Sequence, residues 1–206
     1  PSLQTPSRMA FLDTQSALGY PLATALGLAV GSFLNVVILR LPRRLEWERK
    51  RDAREILELP ELYDPPPPGV VVEPSHDPVT GDRLKWWENI PVFSWLALRG
   101  RSRYSGQKIS IQYPLVELLV GLLTVLCAWR FGFGWQGFGA MVFTWFLVAL
   151  SGIDLRTRLL PDQLTLSLMW LGLIASLDKL FIEPKPALLG AIAGYVSLWS
   201  VWWLFQ

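Results

Sequence analysis

Two aspartates eight positions apart are the residues of this chain best suited to chemistry. They lie in SGIDLRTRLLPD, Ser151 to Asp162. Asp154 follows on GFGAMVFTWFLVAL, a run without a single charge. Two carboxylates held close together cannot both ionise easily. One then stays protonated, the other activates water, and the pair can cleave an amide without a metal. Eight residues containing a turn and a proline do not set the distance between Asp154 and Asp162, so spacing alone leaves the pairing open. Asp162, after Pro161 and before an apolar run, also reads as a helix start whose carboxylate caps free N–H groups. Asp154 reads structurally as a solvated helix-end residue, which explains it poorly, because an acid at a helix C-terminus opposes the helix dipole.

Three further polar residues belong with Asp154. Asn35 and Arg40 close an apolar run near the start of the chain, and Glu117 sits inside YPLVELL. A carboxylate at the edge of hydrocarbon costs several kcal/mol unless it is paired, hydrated or neutralised. Glu117 is therefore either a helix–helix clamp, paired with Arg40 or lying near Asp154, or a supporting member of a site. Arg40 reads equally as an anchor reaching for the membrane interface. Metal chemistry has little support. The single histidine, His76, has no partner cluster, and the single cysteine, Cys127, permits neither a disulfide nor a thiolate zinc site within the chain.

The elements that must carry these residues are membrane helices. Hydrophobic residues make up 51% of the 206 and charged residues 17%, less charge than a soluble surface of this size requires. The apolar residues come in long blocks, each near the roughly 20 residues that cross a bilayer as a helix. The reading is an all-α polytopic membrane protein with about five transmembrane helices. The first covers 17–39. A region at 40–112 lies between the first and second helices, and further spans fall at about 114–129, 135–153, 163–180 and 187–206. Small residues at four-residue spacing, Ala23, Gly27 and Gly31, and again Gly190 and Gly194, suit close helix packing.

Region 40–112 opens with a charged stretch in which Glu46 with Lys50, and Arg51 with Glu55, would pair on a helix face. DPPPPGVVVEPSHDPVTGD then reads as an extended linker. Thirteen of the 19 Lys and Arg lie between Arg40 and Lys108. The positive-inside rule places this region in the cytoplasm, and alternation places Asp154 to Asp162 on the same side and the N-terminus outside. Asn35, Arg40, Glu117 and Asp154 then share one level, the cytoplasmic boundary. A net charge of +2 gives no case for nucleic acid as a partner.

Four segments in order carry a resemblance: GSFLNVVILRLP (Gly31–Pro42), WENIPVFSWLALRG (Trp87–Gly100), YPLVELL (Tyr113–Leu119) and IDLRTRLLPD (Ile153–Asp162), with SLWSVWWLF near the end. Together they resemble the type IV prepilin peptidase family. The resemblance implies a bifunctional, multi-pass enzyme of the bacterial inner membrane whose active face is cytoplasmic. It implies prepilins or pseudopilins as substrates, cleavage of their short basic leader, and methylation of the new N-terminus with S-adenosylmethionine. It makes Asp154 the first catalytic aspartate and leaves Asp162 as a cap. It relates Gly100–Arg101 to methyl transfer, with arginine where the family has lysine. The family's two Cys-x-x-Cys pairs align with Asp77, Thr80, Ser102 and Ser105, so no zinc is expected. The region should then be held by packing, through Trp86, Trp87, Phe93 and Trp95.

The family's second aspartate comes from a Gly-x-Gly-Asp motif, which these 206 residues lack. The expectation is that the natural chain continues past Gln206 into that motif and that residues 1–206 alone do not cleave prepilin. The competing function is a non-enzymatic membrane scaffold or assembly subunit of a pilus or secretion system. A transporter would gather its polar groups near mid-bilayer rather than at one face.

Overall fold

The computed structural model describes residues 6–60, 64–71, 91–103 and 105–205, the side chains of 6–16, 91 and 93 excepted. Six helices follow in order: α1 (Pro6–Ile56), α2 (Pro91–Ala97), α3 (Gln112–Phe131), α4 (Trp135–Thr157), α5 (Asp162–Leu177) and α6 (Pro184–Leu204). Among the described residues there is no strand, only an isolated antiparallel bridge between Arg101 and Lys108. The all-helical membrane architecture is as the apolar blocks require, since a helix bonds all of its own backbone in hydrocarbon.

Helix α1 outruns the span assigned to it. It passes Leu39, carries Pro42 inside it and continues to Ile56. Beyond Pro42 the chain is rich in Arg, Lys, Glu and Leu, all good helix formers. Exposed pairs one turn apart support it: Lys50 Nζ to Glu46 Oε1 at 2.7 Å, and Arg44 Nε to Glu48 Oε1 at 3.0 Å. The Glu46–Lys50 pair is the one expected. Arg51 instead turns to its neighbour Asp52, at 2.8 Å, rather than to Glu55.

Four helices are long and apolar enough to cross a membrane: α1, α3, α4 and α6. The fourth expected span is α5, with 16 residues. At about 1.5 Å per residue it reaches roughly 24 Å, short of a core of roughly 30 Å. The count of five spans is therefore not confirmed.

The core lies between α1, α3 and α4, in three layers. Ala23, Ala128 and Met141 form one, Leu34, Val120 and Ala149 the next, and Val37, Ile38 and Ile153 the last. Glycine sets the spacing of α1 against α3. A Cβ on Gly27 would stand 2.8 Å from the Gly121 Cα, and one on Gly31 2.7 Å from the Glu117 Cα. Across α3 and α4 the Trp145 indole donates to the buried Thr124 hydroxyl at 2.9 Å. Helix α6 packs against α5; among the described residues it has none buried, and its Gly190 and Gly194 meet nothing within 4 Å. The second small-residue row meets no neighbouring helix among the described residues.

The proline-rich linker is tied down in its described part. Segment 64–71 lies along the charged half of α1. The Trp47 indole donates to the Asp64 carbonyl at 3.1 Å and Arg40 Nη1 to the Gly69 carbonyl at 2.9 Å. Its Val70 packs on the Val37–Ile38–Ile153 layer.

Candidate active site

Asp154 lies in the last turn of α4, which extends to Thr157. Its neighbour Ile153 is fully buried in the layer with Val37 and Ile38, while Asp154 itself is exposed. The carboxylate is thus carried on a well-packed helix end but faces outward. Arg158 closes α4 in the left-handed conformation at φ 53°, its N–H donating to the Asp154 carbonyl at 2.8 Å. That closure turns the chain sharply, so that Asp162 opens α5 at the same end of the α4–α5 pair. Arg156 reaches sideways and donates to the Gln112 side-chain oxygen at the start of α3.

Asp162 does not cap α5 as the sequence suggests. The helix starts on it, Pro161 holds the cap position, and no side chain caps the end. A carboxylate inside the first turn still suits the helix dipole, but it cannot fold back onto its own N–H groups as a residue one position earlier would. Asp162 lines a shallow groove of about 610 Å³ with Gln163, Leu166, Ser167, Trp170 and Leu171. The four ion pairs among the described residues involve neither aspartate.

Asn35 on α1 and Glu117 on α3 are both buried, each 1% exposed. Asn35 Nδ2 donates to the Tyr113 carbonyl at 3.0 Å. Glu117 Oε2 accepts the Val92 backbone N–H at 2.9 Å, and the Ser32 hydroxyl bonds to the same carboxyl. The clamp with Arg40 is not formed, since Arg40 reaches the Gly69 carbonyl instead. Glu117 is desolvated, as its position implies, but it holds the second residue of α2 and no ion pair. Val92 carries no signal for this in the sequence, because a backbone N–H is present at every residue but proline.

Gly100 and Arg101 follow α2 in a tight turn. Gly100 has φ +70°, and a Cβ there would lie 3.1 Å from the Trp95 indole. Both facts call for glycine. Trp95 donates to the Ile109 carbonyl at 3.3 Å, and the Ile109 N–H returns to the Gly100 carbonyl at 2.8 Å. Trp95 thus lies against the turn and is hydrogen-bonded across it. Arg101 is exposed. The side chain of Phe93 and residues Trp86, Trp87, Asp77, Thr80 and His76 lie outside the described part. Among the described residues there is no cluster of His, Cys, Asp or Glu able to hold a metal.

Two family models match the chain. The bacterial peptidase A24 N-terminal domain covers residues 25–131, and the type IV leader peptidase family covers 141–206. The first range holds Asn35, Arg40, Gly100, Arg101 and Glu117, and the second holds Asp154 and Asp162. Among curated relatives, a prepilin leader peptidase/N-methyltransferase of Xanthomonas campestris pv. campestris is 74% identical over 198 residues, covering 96% of this chain and 69% of that protein. Proteins of the same name from Stutzerimonas stutzeri and Pseudomonas aeruginosa are 48% and 47% identical, over 89% and 92% of this chain and 64% and 66% of theirs. The chain thus spans about two thirds of the length of these relatives. No solved structure matches.

Proposed function

The chain belongs to the type IV leader peptidase family, and on that premise we propose that Asp154 is one of two catalytic carboxylates of a membrane aspartic endopeptidase. Membership makes the protein a peptidase and methyltransferase by class and removes the scaffold reading. The residues, substrates and sidedness are the proposal. The substrates are type IV prepilins or pseudopilins. The leader is removed at the cytoplasmic face of the bacterial inner membrane, and the new N-terminus is then methylated.

The observation that carries the assignment is the position of Asp154. It is an exposed carboxylate at the end of a membrane-length helix, one residue after a fully buried isoleucine. Water and a peptide chain both reach such a position, and neither reaches a carboxylate deeper in the helix. In the paired mechanism the ionised carboxylate takes a proton from water, whose oxygen attacks the scissile carbonyl carbon. The protonated partner donates to the carbonyl oxygen. Collapse breaks the C–N bond, and the leaving amine takes up a proton. Asp162 is not given the partner role. The partner is assigned to a Gly-x-Gly-Asp motif, a sequence absent from residues 1–206.

S-adenosylmethionine would supply the methyl group. The turn at Gly100–Arg101 suits one end of it, because the exposed Arg101 guanidinium matches the carboxylate of the methionine part. Trp95 and Gly100 keep that turn rigid. Asn35, Glu117 and Arg40 support the site by holding α1, α2, α3 and segment 64–71 in register.

The test is cleavage of a prepilin by the full-length protein in membranes. Asp154→Asn should lower the rate at least about 100-fold with normal membrane insertion, as loss of an acid–base group does. Cleavage retained in that variant would remove Asp154 from the mechanism. Robust Asp154-dependent cleavage by residues 1–206 alone would make Asp162 the partner.

A further inference from the structure

Two oxygens in the α1–α3 seam are buried without a hydrogen-bond partner among the described residues: Asn35 Oδ1 and Glu117 Oε1. Each belongs to a side chain only 1% exposed, and each side chain has its other polar atom engaged. An orphaned acceptor in such a place costs about 1–3 kcal/mol. Turning the Asn35 amide over does not relieve it, because that would set Oδ1 against the Tyr113 carbonyl, acceptor against acceptor.

The two side chains occupy neighbouring turns of the seam, Asn35 bonded at the level of Tyr113 and Glu117 one turn further along α3. Tyr113 and Glu117 are four residues apart and share a face of α3. Gly31, one turn before Asn35, sits directly on the Glu117 Cα. Helical side chains lean toward their own N-terminus. The two helices run in opposite directions, so Asn35 leans toward the level of Glu117, and Glu117 leans toward the level of Tyr113. The apolar layer of Leu34, Val120 and Ala149 adjoins this interval.

We propose that Asn35 Oδ1 and Glu117 Oε1 together bind one buried water molecule in this interval. The occupant must donate hydrogen bonds, must be small, and must satisfy two acceptors. Water has two O–H donors and fits all three conditions; buried waters typically make two to four such bonds. A metal cation does not, because hard cations require about six oxygen ligands. The Ser32 hydroxyl, already on the Glu117 carboxyl, is the third polar group beside the site. The water fixes the plane of that carboxyl, whose other oxygen holds the Val92 N–H. A solvent molecule inside the membrane bundle thereby sets the position at which α2 leaves it.

The test has two arms. A structure of the full-length protein in lipid, at a resolution that shows ordered solvent, should carry one water within hydrogen-bond distance of both oxygens. A direct Asn35–Glu117 hydrogen bond, a metal ion, or a protein donor in that place would overturn the proposal. The second arm compares the thermal midpoints of Asn35→Ala, Glu117→Ala and the double variant. A shared water couples the two residues, so the double variant should lose less than the sum of the single losses. Additive losses would mean that the two oxygens do not share a ligand.

Discussion

At Glu117 a carboxyl group sits in an apolar seam at 1% exposure, and a backbone N–H from another helix makes that tolerable. The arrangement has a measurable consequence. Glu117→Ala removes the acceptor of the Val92 N–H and should destabilise the protein by about 1–3 kcal/mol, read as a fall in thermal midpoint in detergent. Glu55→Ala, at an exposed position on the charged half of α1, should change little. Equal and negligible effects would leave Glu117 without a structural role. The cost of this residue was legible in its neighbours, since YPLVELL offers a carboxyl no polar company. Its partner was not legible. Arg40 was the nearest charge of the right sign at the right level, yet the structure sends it to the Gly69 carbonyl. Asp162 shows the same limit, where a shift of one residue in the helix start turns a cap into a first-turn acid.

Among the elements, α1 and α3 form the tightest pair, and glycine is the reason. Gly31→Ala should push the helices apart, because the added carbon would meet the backbone of Glu117 at 2.7 Å. A loss of about 1–3 kcal/mol is expected from such overpacking, seen as a lower thermal midpoint. Gly190→Ala, with nothing within 4 Å, should leave the midpoint of the 206-residue chain unchanged. A larger effect at Gly190 than at Gly31 would contradict the assigned seam. Both rows look alike in sequence, because spacing shows which face is small and not which helix meets it. Segment 64–71 teaches a related point. Proline keeps that segment out of a helix, while the donors of Arg40 and Trp47 decide where it lies.

For the whole molecule the decisive question is sidedness. Thirteen basic residues between Arg40 and Lys108 are the ground for proposing that this region lies inside. In a Cys127→Ser background, a cysteine replacing Pro67 should resist labelling from outside intact cells. One replacing Gly134, at the α3–α4 joint, should react. The opposite pattern would invert the molecule and move Asp154 away from the cytoplasm.

The sequence by itself determined the class of molecule and the family. Each follows from composition, block length and short motifs, which are properties of the chain read one residue after another. Tertiary structure alone decided the partners. It put Glu117 on Val92, Asn35 on Tyr113, Arg156 on Gln112, Trp145 on Thr124 and Arg40 on Gly69. The physical reason is common to the three of these bonds that run between side chain and backbone. Their partners there are N–H and C=O groups, which nearly every residue carries, so only the packing of the helices selects which one is within reach.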